Sequence, residues 1–231
     1  MSLPTYNSSD HPDDVSAKHK YIREMHLFYK RFDDYKEVLN RNISGRLGTV
    51  ESIIISKKEI MAKINNPEFY YIISTEDSRD CALESMNFSG FEPVDGYLLF
   101  NACKFLCNRS NEITFMDIGA NGGWYSLALT NTYRNIKSIA FEPSPTTYSK
   151  LCKNIKANGL DERITPINCA VSKDESDKYF YFSERLSGNA SLVDHSHDSS
   201  SRKVKVKCAG IDRMKNDLQI NNPYLMKIDT E

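Results

Sequence analysis

The stretch FMDIGANGGWYSLAL, residues 115–129, ends an apolar run in Asp117 and then sets glycines at positions 119, 122 and 123. Glycines at that density mark a backbone that bends sharply or is approached closely. Between the tip of a strand and the start of a helix, such a turn suits a ligand held by main-chain N–H groups, a phosphate or a nucleotide above all. A second carboxylate, Glu142, closes the apolar run SIAFE, 25 residues after Asp117. Two more, Asp229 and Glu231, lie in YLMKIDTE. Acids at the carboxyl ends of successive strands are placed to hold a ligand's hydroxyls or to take its proton.

Which nucleotide fits can be argued position by position. The dinucleotide fingerprint G-x-G-x-x-G, counted from Gly119, wants glycine at 121 and 124, where Asn121 and Trp124 stand. An indole does not allow the close helix–strand packing that the third glycine provides, so an NAD-linked oxidoreductase is disfavoured. A P-loop fails as well, because no Gly-Lys-Ser/Thr follows. An acidic residue followed by G-x-G-x-G, as Rossmann-like methyltransferases use for S-adenosylmethionine (SAM), fits at Asp117, Gly119 and Gly123 and departs only at Asn121. That departure is cheap, since Asn enters left-handed backbone conformations more readily than other non-glycine residues. Glu142, one βαβ step onward, stands where a carboxylate accepts hydrogen bonds from both ribose hydroxyls.

These residues need a sheet to position them, and the downstream pattern supplies one. ITFMDIG reads as a strand, 123–133 as a helix and SIAFEP (138–143) as a second strand. A helix over 145–158 follows, with Ser144 as N-cap, Pro145 at its first position and Gly159 just past its end. ITPINCAV (164–171) is a third strand and YLMKIDTE a fourth. Strands alternating with helices imply parallel pairing and an α/β sheet covered on both faces. KYFYFS (178–183) and KVKVKCAG (203–210) alternate with period two, which predicts an antiparallel pair joined to the main sheet, with a polar loop, LSGNASLVDHSHDSSSR, between them.

Upstream, residues 1–14 read as a disordered tail and 15–111 as a mostly helical region. Helical spacing of Ile22, Met25, Phe28, Phe32, Tyr35 and Leu39 supports a helix over 15–41. The strips SIIIS (52–56) and FYYIIS (69–74) fit short strands or buried helix segments equally well. Residues 92–109 predict a helix with Pro93 in its first turn and an apolar face of Leu98, Leu99, Ala102, Phe105 and Leu106.

Read together, DIGANGGWYSL, AFEPSPTTYSKLCKNIKANGL, NCAVS, SGNASL and KIDTE resemble the FkbM family of SAM-dependent methyltransferases. The likeness covers roughly 112–231, with the helix opened by FEPVDG as a possible addition. It implies a Rossmann-like class I methyltransferase fold and methylation of a hydroxyl on a carbohydrate or small-molecule natural product. By the same resemblance, Asp117, Gly119, Asn121 and Gly123 hold the methionine end of SAM and Glu142 the ribose. Cys169 and Ala170, at the third strand end, occupy the place of adenine contact, Ala170 through its backbone. The family's pattern continues past Glu231, so the C-terminal strands are expected to be missing from this chain.

Asp229 is the favoured general base for a hydroxyl acceptor and Glu231 the second candidate, both at the carboxyl end of the fourth strand. The bland reading of Asp229 is a cap for the turn that follows. His195 and His197 beside Asp194 and Asp198 look like half a metal site, but their Ser-rich setting favours solvated residues, and no metal is expected. NNPY (221–224) precedes its strand rather than following it, unlike the Asn-Pro-Pro-Tyr motif of amino-group methyltransferases, and reads as a loop.

Bulk properties restrict the remaining choices. The 231 residues carry a formal charge of −1 with 26% charged and 40% hydrophobic residues, which gives no electrostatic argument for nucleic acid or anionic lipid. No apolar run approaches the roughly 20 residues of a membrane helix. Six cysteines without a CxxC pair read as free thiols in a reducing, cytoplasmic setting. The expectation is a SAM-dependent O-methyltransferase; the alternative is a non-catalytic SAM-fold module whose helical part binds another protein.

Overall fold

The computed structural model describes residues 49–56, 59–74, 77, 80–88, 91–173, 176–183, 186–191, 202–215, 217–218, 220 and 224–230. Its centre is a parallel sheet of β4 (Ile113–Ile118), β5 (Ile136–Phe141), β6 (Ile164–Ile167) and β12 (Tyr224–Ile228), in the order β12-β4-β5-β6. All six residues of β4 are buried, as expected of a central parallel strand covered on both faces. The chain leaves β4 toward β5 on one side and returns as β12 on the other. The order therefore reverses at β4, and the crevice beyond the carboxyl ends of β4 and β12 is where such sheets place ligands.

The connecting helices form where their caps direct. The helix α3 (Trp124–Thr132) starts from Gly123 in a left-handed conformation, φ 87°, and buries every residue from Trp124 to Thr130. The helix α4 (Pro145–Ala157) has Pro145 at its first position and Ser144 as N-cap, whose side chain accepts from the Thr147 N–H. Gly159, φ 63°, follows its end. Beneath the sheet, Met116, Ile118, Ile139, Phe141, Cys169 and Ile220 make one buried cluster.

The region before β4 is not mostly helical over its described part. β1 (Thr49–Ile55), β2 (Ile60–Asn65) and β3 (Phe69–Ile73) form a three-stranded antiparallel sheet. The period-two burial of β3, with Phe69, Tyr71 and Ile73 inside, explains the outcome: a half-buried strip of five residues is too short for a stable helix but matches a pleated surface. Two helices follow, α1 (Cys81–Phe88) and α2 (Pro93–Cys107). Of the apolar face expected on α2, Leu98 and Phe105 point outward; the helix instead buries Cys103 and Gly96, with Leu99, Ala102 and Leu106 half-buried. The tail, the helix over 15–41, the histidine loop, residues 221–223 of NNPY and Glu231 lie outside the described residues, and Tyr224 opens β12.

Two further differences bear on the site. The third strand breaks at Asn168–Cys169: β6 ends at Ile167, and β7 (Ala170–Val171) pairs instead with β11 (Cys208–Ala209). The Asn168 amide donates to the Glu142 and Pro143 carbonyls at 2.8 and 3.0 Å, which stabilises the break and turns Cys169 and Ala170 toward the sheet's carboxyl edge. The expected pair β8 (Lys178–Ser183) and β10 (Arg202–Val206) is antiparallel, with Val206 buried and Lys203 and Lys205 exposed, but it forms a sheet separate from the parallel sheet rather than joining it. The first part of the expected polar loop is a strand, β9 (Leu186–Ser191), that pairs with β8. Its small polar residues give no hydrophobic period; backbone pairing to β8 supplies the order. No helix among the described residues is long and apolar enough to cross a membrane.

Candidate functional site

The glycine turn after β4 is empty of side chains because the protein itself crowds it. A Cβ at Gly119, φ 80°, would lie 2.1 Å from the Asp229 carbonyl oxygen. At Gly122 it would lie 2.1 Å from Tyr71 Oη, and at Gly123 2.5 Å from Leu151 Cδ1. Three neighbours therefore close on one turn: β12, the N-terminal sheet and α4. Between the glycines, Asn121 takes φ 50°, the left-handed conformation that its amide tolerates. Gly119 and Ala120 donate to the Phe141 carbonyl at 3.1 and 2.9 Å, which pins the turn across to the end of β5.

That pinning sets Glu142 against the turn. Its Oε2 accepts from the Asn121 N–H at 2.9 Å and its Oε1 from the Ser144 N–H at 2.8 Å. Each oxygen keeps a further acceptor position. Burial pushes the Glu142 carboxyl up to about 7, against the opposing pull of the Ser144 and Asn121 N–H groups. A carboxylate held by two fixed donors at the strand end is ready to accept a diol without rearranging.

Glu142 lines an open cleft at the carboxyl edge of the sheet, together with Gly119, Asn121, Cys169, Ala170 and Asp229. Six of the residues singled out from the sequence thus share one wall. Asp117 and Gly123 do not line it. Asp117 is fully buried under the turn, where its Oδ2 accepts from Ser126 Oγ at 2.8 Å and its Oδ1 has no hydrogen-bond partner. Burial raises the Asp117 carboxyl, with Lys227 and Ser126 opposing.

Among the lining residues that sequence reasoning passed over are Lys227 and Glu92. Lys227 reaches Asp229 Oδ2 at 2.8 Å and Asp117 Oδ1 at 4.0 Å, and its ammonium lies 5.0 Å from the centre of the Tyr125 ring. Burial alone would lower its basicity, but the Asp117 and Asp229 carboxylates outweigh it and raise it. Glu92, just before α2, has φ 42° and ψ 63° and accepts from the Tyr125 hydroxyl at 2.9 Å. Burial raises its carboxyl, with that hydroxyl and Lys227 opposing. A left-handed glutamate costs of order 1–3 kcal/mol and persists only where its surroundings hold it, often at a functional site. No sequence signal pointed to it: the following Pro93 favours extended backbone, not the left-handed conformation found. Trp124 also lines the cleft and packs on Phe69, Tyr71 and Phe91, at centroid separations of 5.1, 5.3 and 5.2 Å.

Chemically, the wall offers a fixed carboxylate at Glu142, an exposed carboxylate paired with an ammonium at Asp229 and Lys227, and aromatic faces. Thiolate chemistry is unfavourable: burial pushes Cys169 up to about 11 and Cys81 up to about 12. The residues fit a dinucleotide poorly, because buried Trp124 fills the third glycine position of its fingerprint, where close helix–strand packing leaves no room for an indole. No group of His, Cys, Asp and Glu among the described residues has the arrangement of a metal centre.

Residues 117–231 match the family pattern described as the Methyltransferase FkbM domain. A Sordaria araneosa protein, methyltransferase sdnD, is 30% identical over 91 residues, which is 39% of this chain and 35% of that protein. The chain thus spans about a third of the length of that curated relative. Among solved structures, the N-terminal domain of human METTL16 in complex with SAH aligns at 15% identity and a TM-score of 0.33, covering 73% of this chain and 59% of that one. Pyrococcus horikoshii TYW2 in complex with MeSAdo aligns at 17% identity and a TM-score of 0.29, covering 51% and 38%.

Proposed function

From the membership of residues 117–231 in the FkbM family of SAM-dependent methyltransferases, we propose that the protein methylates a hydroxyl group on a carbohydrate or small-molecule natural product. The observation that carries this reading is Glu142, a buried carboxylate fixed by the N–H groups of Asn121 and Ser144 at the lip of the cleft. When bound, SAM supplies an activated methyl carbon on its sulfonium. Glu142 would hold the ribose diol, the turn of Gly119 and Asn121 the methionine end, and Cys169 and Ala170 would line the adenine side. Gly123, packed against Leu151, and Asp117, buried beneath, would shape the turn.

Asp229 accepts the proton of the acceptor hydroxyl, so that the oxygen gains alkoxide character as it meets the methyl group. Glu231 is the second candidate for that role. Lys227, tied to Asp229 at 2.8 Å, fixes the direction of the carboxylate. Among the described lining residues, Glu84, Glu92, Glu142 and Asp229 face a single cation, Lys227. This lining repels a polyanion and favours a neutral polyol over nucleic acid. The methyltransferase domain is taken as 112–231, with the preceding region contributing Cys81, Glu84, Phe91 and Glu92 to the acceptor side of the cleft. The six free cysteines suit a reducing, cytoplasmic setting.

Transfer of labelled methyl groups from SAM onto a panel of sugars, polyketide-like alcohols, amines and RNA tests the reading. Label on hydroxyl acceptors supports it; label confined to amines or RNA, or no turnover on any acceptor, overturns it.

A further inference from the structure

The N-terminal sheet presents its free edge, β3, to the helix α4, and side chains complete that edge. The outward N–H of Tyr70 donates to Asn158 Oδ1 at 2.8 Å, that of Ile72 to Asn154 Oδ1 at 2.8 Å and that of Ser74 to Asp80 Oδ2 at 2.9 Å. Asparagines one turn apart on a helix lie on one face, and alternate N–H groups of a strand point the same way. The two periods meet here and satisfy an edge that would otherwise be open to mispairing.

Asn154 does one thing that Asn158 does not. It is fully buried, and its Nδ2 donates at 2.8 Å to the carbonyl oxygen of Gly122. Asn158 Nδ2 donates instead to the Tyr70 and Asn154 carbonyls. One amide thus joins the N-terminal sheet, α4 and the glycine turn. Gly122 follows Asn121, whose N–H holds Glu142 Oε2. On its other side Gly122 has no room, since Tyr71 Oη would lie 2.1 Å from a Cβ there.

We propose that Asn154 is a positioning residue for SAM, holding the Gly122 carbonyl so that Asn121 and Glu142 keep their binding geometry, and that the N-terminal sheet braces the cofactor turn through it. The inference rests on the proposed SAM-dependent reading. Losing the bond frees the peptide after Gly122 to rotate, two peptide units from the Asn121 N–H. That rotation loosens the N–H's grip on Glu142 and weakens cofactor affinity without touching the acceptor side.

Asn158→Ala is the control, because it removes the same kind of edge contact from the same helix while leaving the turn alone. Calorimetric titration with SAM is expected to give roughly tenfold weaker binding for Asn154→Ala and wild-type affinity for Asn158→Ala. In the ligand-free protein, hydrogen exchange at the Asn121 amide is expected to speed up in Asn154→Ala alone. If Asn154→Ala does not fold, Asn154→Ser, which keeps a shorter donor, carries the same comparison. Equal SAM affinity for the Asn154 variant and wild type, or equal losses in both asparagine variants, overturns the proposal. If wild-type protein binds no SAM, the SAM-dependent reading fails and the exchange arm alone decides whether Asn154 holds the turn.

Discussion

The backbone N–H of Asn121 donates to Glu142 Oε2 at 2.9 Å, across 21 residues of sequence, so the glycine turn and the second strand end form one unit. Because burial holds the Glu142 carboxyl up at about 7, the ionised form that accepts a diol is lost as pH falls through that value. SAM affinity is expected to fall by about tenfold between pH 8 and pH 6, measured by titration calorimetry, and Glu142→Gln is expected to flatten the dependence. The linkage to stability has the opposite sense. The folded state binds this proton more tightly than the unfolded chain, so the group's contribution grows less favourable as pH rises from about 4.5 to about 7.

Gly119→Ala adds a Cβ 2.1 Å from the Asp229 carbonyl in a backbone with φ 80°. The two nearest atoms, the Asp229 carbonyl oxygen and carbon, are backbone rather than a flexible side-chain end, so the chain at the end of β12 must move away from β4. The expected cost is about 2–4 kcal/mol, read as a lower denaturant midpoint at unchanged slope, together with loss of turnover.

Asp229→Asn removes the proposed base while keeping the side chain's size. Turnover is expected to fall by about 100- to 10,000-fold, with SAM affinity within twofold of wild type because Glu142 and the turn are untouched. A steady-state rate near wild type would remove the base assignment.

Glu92→Gly relieves a left-handed residue, φ 42°, and deprives the Tyr125 hydroxyl of its acceptor. The unfolding free energy is expected to stay within about 1 kcal/mol of wild type, since relieved strain and the unpaired Tyr125 hydroxyl offset each other, while turnover drops. A fall in stability without a change in rate would make Glu92 a structural residue only.

Much of this site was legible because its signals are local. Asn121 in a left-handed position, Ser144 and Pro145 opening α4, and Gly159 closing it each follow from the conformational preference of one residue. Glu142 was placed by counting one βαβ step from Asp117. What stayed hidden depends on partners far along the chain. Asn154 and Asn158 look like ordinary polar helix residues until β3, 82 and 88 residues earlier, brings its open edge to them. The strands of the N-terminal region are too short for periodicity to separate them from buried helix, and β9 carries no period at all. The turn's glycines were legible as a demand for close approach, but not that β12, Tyr71 and Leu151 are what approach.

The central claim, that the Glu142 carboxylate beside the Asn121 turn holds the adenosyl ribose, is tested most directly by titrating SAM into wild-type protein and Glu142→Ala side by side. The account predicts saturable single-site binding to wild type and at least roughly tenfold weaker binding to the variant, the scale of hydrogen bonds lost to a charged group. Absence of binding to folded wild type, or equal affinity in the two proteins, would contradict it.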